Sequence, residues 1–261
     1  MYQKELKACI EAALKARTKI LEVYNRPFEV EIKSDDSPVT EADKEADRII
    51  KEELSKKFPS YAFLTEESSD DLSRRNNDYL FIVDPVDGTK DFVSKDDEFT
   101  TNIALAYKGE VVLGVISIPA TKEIYYAIKG QGAYYLKEGN EPIAIHVNDK
   151  LNDLIILTSR FHVTNKENEI IEKNKDRISK VTRCGSSIKA CLIAKGEGEV
   201  SFRLGSGTKE WDTAASQIIV EEAGGIFAKP DLSKITYNRL DVYNREGFVI
   251  LNRKENIDLM K

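Results

Sequence analysis

Residues 84 to 92 read Asp84-Pro85-Val86-Asp87-Gly88-Thr89-Lys90-Asp91-Phe92 and directly follow the apolar run Tyr79-Leu80-Phe81-Ile82-Val83. Aromatic and β-branched residues favour a strand over the apolar run, whereas Pro85 and Gly88 favour a turn after it. The pattern predicts that Asp84 and Asp87 lie on a tight turn where a buried strand ends. Two carboxylates this close repel each other unless a cation neutralises them, and Mg²⁺ prefers oxygen ligands. A metal site is therefore the first hypothesis.

The composition is that of an ordinary globular protein. The chain has 261 residues, of which 41% are hydrophobic and 32% charged. No apolar run approaches the ~20 residues needed to span a bilayer, so we expect no transmembrane segment. A net charge of −6 argues against polymeric nucleic acid as a partner, and two histidines are too few for a three-histidine zinc site.

The start of the chain and its cysteines predict a cellular location. The first residues are charged and amphipathic, unlike a secretion signal. Cys9, Cys184 and Cys191 form no Cys-x-x-Cys pair, which fits reduced thiols. We therefore expect a cytoplasmic protein.

The pattern of apolar residues changes near residue 150. Before it, we predict a helix over roughly the first 25 residues, a strand at 28–33, a polar turn at 34–38 and a second helix opened by a capping box at Thr40. Residues 99–147 contain short β-rich runs separated by turns, typical of an antiparallel meander. Strands and helices then alternate, which favours α/β layering. We expect an N-terminal α+β subdomain, 1–150, and a C-terminal α/β subdomain, 151–261.

Three further acids could join the two aspartates of the opening motif. Glu66 follows a short apolar run, Asp43 lies one turn into the second helix, and Asp212 follows the only tryptophan at a helix start. Each has a structural alternative, since Asp43 and Asp212 could merely stabilise helix N-termini and Glu66 could lie in a solvated turn. Ligand sites in layered α/β proteins favour strand exits and helix starts, so the set as a whole favours a functional site.

Together these positions form a candidate two-metal site. Its predicted oxygen ligands are Glu66, Asp84, the Val86 carbonyl, Asp87 and Asp212. Two cations ~4 Å apart can generate a nucleophile from water and stabilise the leaving oxygen of a phosphate ester. Thr89 and Asp43 would then orient that water. The chemistry predicted from these residues is metal-dependent hydrolysis of a phosphate ester.

The order of the motifs resembles the inositol monophosphatase family, the lithium-sensitive, magnesium-dependent phosphomonoesterases. That family carries Asp, then Glu-Glu, then Asp-Pro-x-Asp-Gly-Thr, then Trp-Asp. The same motifs occur here in order as Asp43, Glu66-Glu67, residues 84–89 and Trp211-Asp212, and the resemblance spans nearly the whole chain. It implies an α+β fold, a layered αβαβα sandwich of the inositol monophosphatase and sugar phosphatase type. It also implies two or three Mg²⁺ ions per active site.

Lys90-Asp91-Phe92 is similar to the 3'(2'),5'-bisphosphate nucleotidase branch of that family, the CysQ-like branch, whereas inositol monophosphatases usually carry Thr-Asn-Phe there. The stretches 98–105, 185–189 and 203–215 also resemble this branch. The resemblance implies a small phosphorylated nucleotide as substrate, adenosine 3',5'-bisphosphate, cleaved to AMP and phosphate, with its sulfated form as a second candidate. Ser206 departs from the pattern, because a related enzyme has proline at this position.

The resemblance also assigns roles to individual residues. The metal ligands would be Glu66, Asp84, Val86, Asp87 and Asp212, and the catalytic residues would be Asp43, Thr89 and Glu66. The substrate-binding residues would be Glu66, Val86, Asp87, Gly88, Thr89, Lys90, Ser187, Lys189, Arg203 and Asp212. The positive charges of Lys90, Lys189 and Arg203 also suit a substrate with two phosphates, independently of the resemblance. The structural alternative is that these side chains are simply solvated at the surface.

Two other functions stay open at this point. One is an inositol-1-monophosphatase or a broad-specificity sugar phosphatase, and the other is a non-catalytic, metal-binding regulatory protein. The pair Asp43 and Thr89 argues against the second, because metal binding alone does not require a positioned water. The family often forms homodimers, so a homodimer is compatible with the resemblance.

Overall fold

A computed structural model of the chain describes residues 1–34 and 37–261. Asp35 and Asp36, which belong to the predicted polar turn 34–38, lie outside the described residues. Helices α1 to α6 span Gln3–Tyr24, Glu41–Lys57, Thr89–Ser94, Asn165–Lys173, Ile188–Ala194 and Glu210–Glu222. Short 3₁₀ helices span Ser73–Asn76, Lys175–Arg177 and Lys254–Met260. Strands β1 to β14 span Val30–Ile32, Pro38–Thr40, Ala62–Thr65, Tyr79–Asp87, Thr100–Tyr107, Glu110–Ile118, Glu123–Ile128, Ala133–Lys137, Ile143–Ile145, Leu154–Ser159, Ile178–Cys184, Val200–Arg203, Ile226–Ala228 and Phe248–Leu251.

Over the described residues, the strands form two large sheets and a small antiparallel pair, β1 with β2. The seven-stranded sheet has the order β3-β4-β5-β6-β7-β8-β9, parallel between β3 and β4 and antiparallel elsewhere. The five-stranded sheet has the order β11-β10-β12-β14-β13, with β10 parallel to both of its neighbours. The predicted antiparallel meander and the predicted α/β layering are both confirmed.

Helices alternate with the two large sheets to form five layers. Helices α1 and α2 cover one face of the seven-stranded sheet, and α5 and α6 lie between its other face and the five-stranded sheet. Helix α4 contributes Ile170 to the core on the outer face of the five-stranded sheet. This order is the αβαβα sandwich implied by the resemblance.

Strand β4 packs against helices on both of its faces. Leu80 and Ile82 belong to the core around α6, whereas Phe81 and Val83 belong to the core beneath α1 and α2. Successive side chains of a strand point to opposite faces, so a strand buried on both sides is apolar at every position. This explains the continuous apolar run in the sequence.

The sequence pattern predicted that the strand ends before Asp84, but it does not. It continues to Asp87, and Asp84 pairs with Asn102 while Asp87 pairs with Thr100. Between these two pairs, β4 contains two residues and β5 contains one, so β4 has one extra residue and forms a bulge. Pro85 has no N–H to donate and fits within the bulge, where the ladder is interrupted. The predicted tight turn was wrong, and the two carboxylates lie on a bulged strand end.

Helix α6 is the central helix of the sandwich and is buried almost all round. A helix between two sheets shows no amphipathic stripe. It approaches β6 closely at Gly114, where an added Cβ would lie 2.5 Å from Ile218 Cγ2 and 2.8 Å from the Ala215 carbonyl oxygen. A glycine at this position therefore allows the helix to lie directly on the strand.

The two sheets come from different parts of the chain. The seven-stranded sheet uses strands up to residue 145, and the five-stranded sheet uses strands from residue 154 onward. Helix α6 nevertheless contacts both sheets, so the two halves share a core. The subdomain division near residue 150 stays a prediction. Among the described residues, no helix combines the length and the apolar character required to cross a membrane.

We predict that Gly114→Ala destabilises the protein, because the added methyl must push α6 away from β6. Overpacking of this kind costs roughly 1–3 kcal/mol, which corresponds to a fall in Tm of roughly 2–10 °C for a chain of this size. Thermal unfolding followed by circular dichroism measures this. As a control, Gly207→Ala adds a Cβ whose nearest neighbour is Arg203 Nη2 at 4.0 Å. It should leave Tm almost unchanged, and equal Tm values for both variants would contradict the close contact at Gly114.

Candidate active site

The predicted metal ligands converge from three elements of the fold. Asp84 and Asp87 lie on the bulged end of β4, Glu66 directly follows the neighbouring strand β3, and Asp212 lies in the first turn of α6. Ligand oxygens of Asp84, Asp87 and Asp212 all lie within 4.8 Å of one another. Glu66 and the Val86 backbone line the same cavity as these three carboxylates.

This carboxylate cluster is electrostatically unfavourable without a cation. Asp84 is 1% exposed, and its Oδ1 has no hydrogen-bond partner among the described residues. Burial, followed by the charges of Glu66 and Asp87, raises the pKa of Asp84 well above its ordinary value. Burial and the charges of Asp87 and Glu66 raise the pKa of Asp212 to about 8. Buried like charges of this kind are neutralised either by protons or by a bound cation.

The donor set fits a hard divalent cation. It consists only of oxygen atoms, and it includes the buried carboxylate oxygen of Asp84 that no described group satisfies. A positive side chain also reaches the edge of the cluster, since Lys33 Nζ lies 3.1 Å from Glu66 Oε1 and 2.5 Å from Glu67 Oε1. Lys33 was not predicted as a site residue, because the alternating strand pattern in which it lies carries no functional signal.

Hydrogen bonds from other elements fix the orientation of Asp87. Its Oδ2 accepts a hydrogen bond from Ser187 Oγ at 2.7 Å, from Asn102 Nδ2 at 3.1 Å and from Thr100 Oγ1 at 3.3 Å. Ser187, predicted to contact the substrate, thus also holds a carboxylate of the cluster. The bond joins residues 100 positions apart in the chain and has no local sequence signal.

Asp43 lies behind Thr89 rather than in the lining of the cavity. Its Oδ2 accepts hydrogen bonds from Thr40 N at 2.8 Å and Thr40 Oγ1 at 2.6 Å, so its capping of α2 is confirmed. Its Oδ1 accepts a hydrogen bond from Thr89 Oγ1 at 3.1 Å. Burial raises the pKa of Asp43, although the hydrogen bonds from Thr40 and Thr89 oppose this effect. Gly88, with φ of 88°, provides the left-handed turn that directs the chain into α3, whose first residue is Thr89.

Like Asp43, Asp212 accepts a hydrogen bond from the backbone at a helix N-terminus, here at the start of α6. Its Oδ2 accepts a hydrogen bond from Lys209 N at 2.5 Å, which satisfies a backbone donor at the helix N-terminus. The alternative that Asp212 stabilises a helix N-terminus is therefore correct as well. The same carboxylate lies within the acidic cluster.

The cavity that contains the cluster has a volume of about 590 Å³, within the range of small-molecule sites. All ten predicted substrate-binding positions belong to its lining: Glu66, Val86, Asp87, Gly88, Thr89, Lys90, Ser187, Lys189, Arg203 and Asp212. Lys90 is exposed, whereas Lys189 and Arg203 are partly buried. Ser206 lies outside the lining, although Gly207 and Thr208 belong to it.

Several lining residues were not predicted. Phe161 and His162 follow β10, and the preference of sites for strand exits could have identified them. Ser186 and Lys209 also line the cavity and lie in stretches that resemble the nucleotidase branch, but they were not predicted as site residues. Tyr243 lines the cavity as well, and no motif in the sequence indicated it.

The cavity also contains a strongly positive region. Burial, together with the charges of Arg203, Lys90 and Lys189, lowers the pKa of His162 to about 4. His162 is therefore neutral near pH 7. The cavity therefore contains both an acidic cluster and a group of cations.

Comparison with known proteins agrees with this arrangement. Residues 1–258 match the profile of the Inositol monophosphatase family. The chain is similar to the 3'(2'),5'-bisphosphate nucleotidase CysQ of Salmonella typhimurium, with 36% identity over 222 residues that cover 84% of this chain and 88% of the relative.

Solved structures show the same relationship. The structure of CysQ from Bacteroides thetaiotaomicron has 35% sequence identity and a TM-score of 0.82, over 97% of this chain and 99% of that chain. The IMPase of Thermotoga maritima has 28% identity and a TM-score of 0.83, over 99% and 97% of the two chains. The family resemblance and the fold predicted from the ordered motifs are therefore confirmed: the chain belongs to the inositol monophosphatase family.

Proposed function

We propose that this protein is a Mg²⁺-dependent 3'(2'),5'-bisphosphate nucleotidase that hydrolyses the 3'-phosphate of adenosine 3',5'-bisphosphate to AMP and phosphate. The observation that carries the proposal is one cavity with both a buried carboxylate cluster and three cations, Lys90, Lys189 and Arg203. The cluster suits the phosphate that is cleaved, and the cations suit a second phosphate. Similarity to nucleotidases named CysQ supports the same substrate class.

The metal ligands we propose are those brought together at the end of β4 and the start of α6. They are Glu66, Asp84, the Val86 carbonyl, Asp87 and Asp212, and they would hold two or three Mg²⁺ ions. When bound, Mg²⁺ lowers the pKa of water and stabilises negative charge on the phosphate. The protein's contribution is a rigid set of oxygens, since hydrogen bonds from three side chains already orient Asp87.

Thr89 and Asp43 would position the attacking water. Thr89 Oγ1 lies 3.1 Å from Asp43 Oδ1 and 3.2 Å from the Val86 carbonyl oxygen, and both are acceptors for its hydrogen. The Thr89 oxygen is therefore left to accept a hydrogen bond from the water. Burial raises the pKa of Asp43, which makes this carboxylate more basic than an exposed one. Glu66 completes the proposed catalytic set, because its charge already acts on the cluster carboxylates.

The second phosphate would bind the cations outside the acidic cluster. Arg203 offers a planar fork that matches phosphate oxygens, whereas Lys90 and Lys189 act as point charges. A monophosphate would leave part of this positive region without a partner. The region therefore favours a bisphosphate over inositol 1-phosphate or a sugar phosphate, and the sulfated nucleotide remains a further candidate substrate.

We also propose a cytoplasmic location and a homodimeric state. Cys9, Cys184 and Cys191 are buried free thiols, as expected for a reducing compartment. We propose the homodimer because members of the family often form homodimers. Analytical ultracentrifugation measures the oligomeric state directly.

A comparison of three substrates tests the proposed function. With Mg²⁺, purified protein should release phosphate from adenosine 3',5'-bisphosphate faster than from inositol 1-phosphate, with the sulfated nucleotide as the third substrate. Asp87→Asn should lower activity by more than the ~10–100-fold that is typical when a residue hydrogen-bonded to a metal ligand is replaced. Faster turnover of inositol 1-phosphate would favour the monophosphatase alternative. Mg²⁺ binding without turnover of any phosphomonoester would favour the non-catalytic one.

Asp84→Asn should stabilise the metal-free protein while it removes the response to metal. Without metal, the change relieves repulsion at a buried, unsatisfied carboxylate, worth about 1–3 kcal/mol. With Mg²⁺, wild-type Tm should rise and that of the variant should not, because the variant lacks a ligand. Asp78→Asn is the matched control, since Asp78 is an exposed acid 3.7 Å from Lys108 Nζ. If Mg²⁺ raised Tm equally in all three proteins, Asp84 would not be a ligand.

The stability of the metal-free protein should fall as pH rises. The pKa of Asp212 is raised from 3.8 to about 8 in the folded protein, so the folded state keeps a proton that the unfolded state has already released. Its stabilising contribution is complete below pH 4 and is lost as pH rises to about 8. Mg²⁺ replaces the proton, so the gain in Tm on adding Mg²⁺ should be larger at pH 8 than at pH 5. Melting curves in EDTA and in Mg²⁺ measure both effects, and a gain independent of pH would count against the raised pKa.

A further inference from the structure

Asp91 is a buried acid in the lining of the cavity, and the proposed reaction does not use it. It lies in α3 next to Lys90, is 4% exposed, and its Oδ1 has no hydrogen-bond partner among the described residues. Arg160 Nε lies 3.5 Å from this oxygen. The acid of the Lys-Asp-Phe motif thus faces an arginine from the other half of the chain.

Arg160 follows β10 and bridges several acids of the N-terminal half. Besides Asp91, its Nε lies 3.4 Å from Asp96 Oδ2 and its Nη2 lies 2.5 Å from Glu98 Oε2. The guanidinium therefore lies among three carboxylates and already supplies their positive charge. Arginine suits this position because its planar fork can donate to more than one acid at once.

The same acids hold a loop of the active site. Glu98 Oε2 accepts a hydrogen bond from Gly185 N at 2.7 Å. A Cβ at Gly185 would lie 2.4 Å from Asp91 Oδ1, so only glycine lets the Asp91 carboxylate lie against this loop. Residues 184–187 are thus docked on α3 and on the segment that follows it.

The docked loop carries two residues of the cavity. Ser187 Oγ donates to Asp87 Oδ2 at 2.7 Å. Lys189 Nζ donates to the Ser186 carbonyl at 2.6 Å and to the Cys184 carbonyl at 3.3 Å. The conformation of the loop therefore determines where the Lys189 ammonium lies.

We propose that Arg160 is a positioning residue. Together with Asp91 and Glu98 it fixes the loop 184–187 against α3 and so places Ser187 and Lys189 in the cavity. Without the guanidinium, the buried carboxylate of Asp91 would be left unpaired beside the partly exposed carboxylates of Asp96 and Glu98, and the loop would detach from α3. The inference rests on the proposed function in one respect, namely that Lys189 binds the second phosphate.

The first experiment measures docking of the loop without any substrate. Arg160→Gln should speed backbone hydrogen exchange across residues 184–189, because the Gly185 N–H loses its fixed acceptor. Arg48→Gln is the matched control, since Arg48 also bridges two acids, Glu45 and Glu52, on the exposed face of α2. It should leave exchange in the loop unchanged. Equal exchange in Arg160→Gln and wild type would overturn the proposal.

The second experiment measures the kinetic consequence. Arg160→Gln should raise KM for adenosine 3',5'-bisphosphate ~10-fold, the scale of one displaced charged hydrogen bond. It should leave KM for inositol 1-phosphate within about a factor of two to three, because a monophosphate does not use Lys189. Any fall in kcat that results from the bond between Ser187 and Asp87 should be the same for both substrates. Arg160→Lys should be intermediate, since lysine restores the charge without the fork. An equal rise in KM for both substrates would mean a general structural defect and would overturn the positioning role.

A further variant guards against misfolding. Glu98→Gln keeps an acceptor for Gly185 N–H but removes the charge that faces Arg160. It should give a smaller change of the same kind, and its combination with Arg160→Gln should be less than additive. Additive effects would contradict the proposed link. A wild-type protein that does not cleave adenosine 3',5'-bisphosphate would refute the proposed function, and hydrogen exchange would still decide the role of Arg160.

Discussion

The close contact between α6 and the seven-stranded sheet determines where the acidic cluster can form. Helix α6 carries Asp212, and β4 of the same sheet carries Asp84 and Asp87. An added Cβ at Gly114 would overlap with the helix, so the separation of helix and sheet is set by the absence of one methyl group. The cluster is therefore a property of the packed layers, and the five-stranded sheet on the other side of α6 keeps the helix in place.

The cavity contains both acidic and basic side chains. The raised pKa values of Asp84 and Asp212 and the lowered pKa of His162 have the same origin, burial among like charges. Although Lys33 reaches Glu66 at the edge of the acidic cluster, Asp84 keeps a buried carboxylate oxygen that no described group satisfies. Because the cavity contains both acidic and basic side chains, it favours a ligand that carries positive as well as negative charge, as a magnesium-bound phosphorylated nucleotide does.

Much of the fold and the acidic cluster of the cavity could be predicted from the sequence, because the deciding signals are local. The capping box at Thr40, the strand exit after β3 and the helix start at Trp211 each depend on a few neighbouring residues. What could not be predicted depends on partners distant in the chain. The bulge in β4 requires β5 opposite it, and the bond from Ser187 to Asp87 requires both sheets to be assembled.

Asp43 and Asp212 each serve a helix N-terminus and the acidic site at the same time. Selection for folding alone would therefore preserve both acids in a descendant that had lost its catalytic activity. Thr89 caps no helix with its side chain, and its hydroxyl serves Asp43 and the cavity. If Thr89 positions the attacking water as proposed, the threonine is a better marker of retained turnover in a set of homologous genes than the acids. A relative with both acids but no hydroxyl at this position would be a candidate pseudoenzyme.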